Sequence, residues 1–130
     1  MRKWYILIAM ITSISMIFID QTILPLALPT IQREFLSSDL TLQWIVNSYF
    51  LSMTAFVLLG GRLSDVYGQR KIYCLGLLVF AIASAFGGLA IDSLWLIGAR
   101  IFQGIGSALM TPATFTIIIQ AFPKKMRGRA

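Results

Sequence analysis

Histidine is absent from these 130 residues, cysteine occurs once, and there are only five acidic residues. Without histidine, imidazole catalysis and histidine-based proton relays are excluded. The lone Cys74 has no partner for an internal disulfide or a thiolate metal site; it reads as a small apolar filler near a helix start. Charge is scarce as well. Only 12% of residues are charged, against roughly 25% in soluble domains, so a water-soluble globule is not expected. No nucleophile–base–orienter set is present. Gly104-Ile105-Gly106 lies inside an apolar run and lacks the strand that a dinucleotide-binding loop requires. Neither enzyme activity nor a metal or cofactor is expected.

The chain is instead rich in apolar residues, 58% of the total, with a mean hydropathy of +0.81. They form four long segments, at about 4–28, 42–60, 72–91 and 94–122. A helix rising 1.5 Å per residue needs about 20 residues to cross a hydrocarbon core of ~30 Å. The fold expected is therefore all-α and integral to a lipid bilayer, with four transmembrane helices. Arg2 and Lys3 before the first apolar run have the layout of a secretory signal. Three more hydrophobic segments follow, however, and Asp20 stands where a cleavage region would lie, so the segment is read as a membrane helix.

The net charge of +6 does not point to nucleic acid, because the cations flank apolar segments instead of forming one basic face. Arg2, Lys3, Arg62, Arg70, Lys71, Lys124, Lys125, Arg127 and Arg129 fall on one side of the expected membrane, and Arg33 alone on the other. By the positive-inside rule both termini are cytoplasmic. The polar insert at 61–71 is then a cytoplasmic loop between the second and third helices.

Small residues recur at helical spacing: Ala81 with Ala85, Ala83 with Gly87, Ser84 with Gly88, and Gly98, Ala99, Gly104, Gly106, Ser107 and Ala108 in the fourth segment. In lipid such positions let helix backbones approach closely. Pro112 should kink or loosen the fourth helix near its middle. Trp44, Tyr49 and Phe50 on the second helix are read as interfacial anchors and packing groups, the alternative being that they line a drug pocket.

Two ionisable residues fall well inside the spans. Asp20 lies about 12 Å below the outer end of the first helix and Arg100 about 9 Å below that of the fourth, at 1.5 Å per residue. Opposite charges at matching depth can pair. Such residues usually face a bundle interior or a wet cavity. Desolvation disfavours an ionised carboxyl and a neighbouring guanidinium favours it, so a movement that parts the two would load a proton. A static tie between two helices is the plainer alternative.

Three stretches together resemble the major facilitator superfamily. Gly61-Arg62-Leu63-Ser64-Asp65-Val66-Tyr67-Gly68-Gln69-Arg70-Lys71 is similar to that superfamily's signature between its second and third helices. Leu96-Ile97-Gly98-Ala99-Arg100-Ile101-Phe102-Gln103-Gly104-Ile105-Gly106 resembles the fourth-helix motif of its proton-driven members. Ile19-Asp20-Gln21-Thr22-Ile23-Leu24-Pro25-Leu26-Ala27-Leu28-Pro29 resembles the first-helix motif of the drug:proton antiporter branch with fourteen helices. The insert departs from the pattern at Val66, where a basic residue is common, and at Gln69.

The resemblance implies a proton-coupled multidrug efflux transporter of the cell membrane, working by alternating access. It places Arg100 in proton coupling and Asp20 in proton or cation handling, the two together serving proton coupling and substrate. Gly61, Arg62, Asp65, Gly68, Arg70 and Lys71 would form a conformational latch, and Gln103, Gly104 and Gly106 a helix-packing motif. The implied partners are protons, lipophilic or cationic small molecules and the lipid bilayer. Because members have twelve or fourteen helices, the resemblance also implies that these four form the N-terminal part of the fold. The latch would then close on a C-terminal half that these four helices lack, and they are not expected to transport alone. The other readings are a stand-alone four-helix exporter acting as a dimer and a non-transporting membrane assembly subunit.

Overall fold

Four helices follow one another with very little connecting chain in the computed structural model, which describes residues 1–122 and 124–125. They are α1 (Arg2–Phe35), α2 (Asp39–Tyr67), α3 (Gln69–Gly88) and α4 (Ser93–Ala121). Each is long and apolar enough to cross a membrane. Arg127 and Arg129, two of the cations used for orientation, lie outside the described residues.

The molecule is packed around α4. Both α2 and α3 run against most of its length, whereas α1 rests on the others at fewer places. Sequence accounts for the choice. The α4 stretch from Gln103 to Met110 contains Gly104, Gly106, Ser107 and Ala108, all buried, so neighbouring backbones meet it with little between them. An added Cβ on Gly76 would come 2.7 Å from the carbonyl oxygen of Gly106, and one on Gly104 would come 2.5 Å from that of Tyr49. These contacts fix the α3–α4 and α2–α4 seams. Outside lie large apolar side chains such as Phe18, Leu26, Leu58, Phe102 and Phe115, all exposed. Arg100 and Gln103 are buried inside. Apolar outside and polar inside is the arrangement a lipid solvent selects.

Only part of the small-residue pattern is used. Ala83 and Gly87 face α4, but Ala81 and Ala85 are exposed, and nothing lies within 4 Å of a Cβ placed on Gly88 or Gly98. Gly60 and Gly76 make closer approaches than any of these, though neither stands out by spacing.

The helix ends differ from expectation in an instructive way. The first helix continues seven residues past 28, through Pro25 and Pro29. A proline removes one N–H and crowds the carbonyl four residues back, which a membrane helix can absorb where neighbours or solvent satisfy the freed group. The helix ends instead at Leu36, in the left-handed conformation, whose N–H bonds to the Gln32 carbonyl. The second helix starts at Asp39, capped by the Ser38 hydroxyl accepting from the Thr41 N–H.

That second helix then runs on through the polar insert to Tyr67. The expected 61–71 loop is thus a correction: it shrinks to Gly68, with φ 103° and ψ 136°. Polarity marks where a helix leaves the hydrocarbon, whereas backbone geometry marks where it stops. The third helix is displaced three residues earlier than 72–91 and ends at Gly87-Gly88. The fourth starts behind Asp92, whose carboxylate accepts from the Trp95 N–H at 2.8 Å. It passes through Pro112 without ending.

Candidate functional site

One buried polar cluster receives side chains from all four helices. Arg100 on α4 donates from Nη1 to Asp20 Oδ2 on α1 at 2.6 Å and to Gln103 Oε1 at 3.0 Å. Its Nη2 donates to Gln21 Oε1 at 3.3 Å. Gln103 in turn donates from Nε2 to Ser84 Oγ on α3 at 2.7 Å and to Asp20 Oδ1 at 3.5 Å. Tyr49 on α2 lies beneath the guanidinium, with Cζ 4.6 Å from the ring centroid, a cation–π contact. A guanidinium has no acceptor, so both glutamines must turn their oxygens toward it. That leaves Gln103 Nε2 free to reach Asp20 and Ser84.

The two charges are unequally enclosed. The Arg100 side chain is 2% exposed and that of Asp20 26%. The cation is enclosed among its partners, while the carboxylate keeps one open side. Asp20 and Arg100, which the sequence places at matching depth, therefore do meet.

Gln103 also changes character. It sits beside packing glycines, but it bridges Arg100, Asp20 and Ser84, while Gly104 and Gly106 do the close packing. Its spacing of three residues from Arg100 puts both on one helix face, a signal that could have found it. Gln21, Ser84 and Tyr49 join the site with no such signal. Of the aromatics read as anchors and packing groups, Tyr49 is 1% exposed and packs in the core, whereas Trp44 is exposed.

The cluster is rich in donors. Gln21 Nε2, Tyr49 Oη and Arg100 Nε are buried and have no hydrogen-bond partner among the described residues. The Tyr49 hydroxyl nevertheless lies beside the side chains of Gln21 and Ser107 and can both give and accept a proton, so small shifts of these side chains suffice to pair it.

The remaining predicted residues lie elsewhere. Arg62 and Asp65 are exposed one turn apart on the last turns of α2, and Arg70 and Lys71 are exposed on the first turn of α3. Gly61 faces Pro112, at 3.9 Å from an added Cβ to Pro112 Cβ. No ion pair joins Arg62, Asp65, Arg70 or Lys71 among the described residues. The structure brings these four to one end of the molecule, remote in sequence and element position from Asp20. It does not unite the two sets.

The family model described as Major Facilitator Superfamily matches residues 10–130. The chain belongs to the Major Facilitator Superfamily. Among curated relatives, it is 36% identical over 130 residues to the puromycin resistance protein pur8 of Streptomyces alboniger, covering 99% of this chain and 26% of that protein. It is 39% identical over 125 residues to the multidrug resistance protein Stp of Mycobacterium tuberculosis, covering 95% and 23%. It is 34% identical over 129 residues to the riboflavin transporter RibZ of Clostridioides difficile, covering 99% and 28%. The chain thus spans about a quarter of the length of these relatives. As a Major Facilitator Superfamily sequence with four membrane-length helices, it is a multi-pass membrane protein.

Proposed function

We propose that this chain belongs to a proton-coupled exporter of lipophilic or cationic small molecules in the cell membrane, with the chain's two ends on the cytoplasmic side. The observation that carries the reading is the 2.6 Å contact between Arg100 and the partly open Asp20 carboxylate. Two relatives carry names of drug or antibiotic resistance proteins, which supports export as the activity.

In this reading Asp20 is the proton carrier and Arg100 its counter-ion. With Asp20 ionised, the pair clamps α1 to α4. A proton on Asp20 removes the charge that Arg100 holds, and α1, the least packed helix, is released to move. Arg100 keeps Gln103, Gln21 and the Tyr49 ring through that exchange; these hold the guanidinium in place but do not cancel its charge, which favours return of Asp20 to the ionised form. Gly61, Arg62, Asp65, Gly68, Arg70 and Lys71 serve as a latch at the cytoplasmic end, engaging helices of the family fold beyond these four. Alternating access moves two halves about a site near the midplane, and these four helices supply part of one half.

The test is proton release on substrate addition to vesicles holding the intact transporter. Asp20→Glu should retain coupled export, and Asp20→Asn should lose it while still binding substrate. Export against a proton gradient at the wild-type rate by Asp20→Asn would end the carrier assignment.

A further inference from the structure

The end of the molecule where α1 and α3 begin carries cations without a counter-charge. Arg2, Arg70 and Lys71 are exposed there, and the first turn of neither helix contains an acid. Among the described residues none of the three takes part in an ion pair. Asp65, the acid nearest to Arg70 in sequence, lines neither of the two hollows at this end.

Helix α1 packs on α4 and α2 but hardly on α3, which leaves a cleft between α1 and α3. It measures about 330 Å³ and is walled by Ile6, Ala9, Met10, Cys74 and Ile117, with Arg2 and Arg70 also on its lining. Tyr73 lines it too, but its hydroxyl is committed to Ser13. Arg70 also borders a second, more polar hollow of about 520 Å³, which Gln69, Lys71 and Gln120 line. Ile6 and Ile117 are common to both, so the two adjoin.

Two guanidiniums from different helices thus share one apolar cleft with no anion between them. Their mutual repulsion is relieved by a phosphate, which arginine binds through paired N–H donors. The apolar wall calls for hydrocarbon. A helix is about 10–12 Å across with its side chains, too thick to enter so small a cleft, whereas an acyl chain fits. Basic pockets between membrane helices on the cytoplasmic side take anionic lipid headgroups.

We propose that the cleft between α1 and α3 binds an anionic phospholipid, its phosphodiester held by Arg2, Arg70 and Lys71 and one acyl chain lying along Ala9 and Met10. The lipid supplies packing that α3 does not give to α1. The site is independent of export and proton coupling; only the leaflet, the cytoplasmic one, rests on the orientation proposed above.

The test compares phosphatidylglycerol with phosphatidylcholine of the same acyl chains on the intact transporter. Native mass spectrometry from detergent should show phosphatidylglycerol retained in preference. Arg2→Gln, which leaves the latch residues untouched, should lower that preference about five-fold, the worth of one surface cation. Ala9→Trp, at an exposed position, fills the cleft with every cation in place and should lower retention of the same lipid. Phosphatidylglycerol with a diazirine in its acyl chain should label the peptides holding Ala9 and Met10 or Cys74. No preference for phosphatidylglycerol, or one that Arg2→Gln leaves unchanged, overturns the proposal. Labelling confined to other segments does the same, and is the result expected if helices of the family fold beyond these four cover the cleft. Displacement of the lipid by an equal concentration of glycerol 3-phosphate would assign the site to a soluble anion and also overturn it.

Discussion

The backbone of Gly60 lies against the carbonyl oxygen of Ala108, so closely that a Cβ on Gly60 would come within 2.4 Å of it. The pairing has a cause in sequence. Pro112 sits four residues after Ala108 and has no N–H to give it, and the bare Cα of Gly60 on the neighbouring helix is what faces that carbonyl.

Gly60→Ala and Gly104→Ala should therefore destabilise the bundle by about 1–3 kcal/mol each, the usual cost of forcing extra volume into a packed seam. Gly88→Ala and Gly98→Ala meet open space and should be neutral or slightly stabilising. Thermal unfolding in detergent, comparing the four variants, checks the contrast. Equal effects at all four positions would show that close approach is not what these glycines provide.

Breaking the central ion pair should be costly from either side and less so when both charges go. Asp20→Asn leaves Arg100 buried with its charge uncompensated, a loss of roughly 3–5 kcal/mol. The double variant Asp20→Asn, Arg100→Gln removes the stranded charge and should recover part of that loss. Arg100→Lys should not rescue, because a point ammonium cannot serve Asp20, Gln103 and Gln21 while lying flat on Tyr49. A double-mutant cycle on unfolding midpoints gives the coupling directly.

Gly68 should tolerate no substitution. Its φ of 103° with ψ 136° lies outside the left-handed well that asparagine can enter. Gly68→Ala and Gly68→Asn should each cost about 1–3 kcal/mol. Rescue by asparagine, read from expression and melting temperature, would contradict this.

Ser13 on α1 and Tyr73 on α3 share a buried hydrogen bond between their hydroxyls. Tyr73→Phe should lower stability by about 1 kcal/mol, and should raise hydrogen exchange in α1 more than in α2 or α4. Uniform exchange across the helices would mean that this bond does not hold α1 in place.

The existence of four helices was legible in the length and spacing of the apolar runs, because lipid allows few other backbones. Their ends were less so. Pro29 reads as a stop by the rules of soluble helices, yet α1 carries on to Phe35. The charges of Arg62 and Asp65 read as a loop, yet they ride on the last turns of α2. Asp20 and Arg100 were legible because an ionised side chain in an apolar run is too costly to leave facing lipid and so turns toward a partner or a wet cavity. Tyr49, Gln21 and Ser84 were not. They are common residues whose part in the site comes from how α1, α2 and α3 are laid around α4, a relation no single stretch of sequence encodes.

Gly68 has a mechanical consequence. With a single residue between α2 and α3, the two helices meet at a corner with no slack to absorb a displacement. Arg62 and Asp65 on one arm and Arg70 and Lys71 on the other are fixed to rigid rods. A push on either arm is therefore passed to the other through one glycine, and α2 and α3 respond together against α4, on which both are packed.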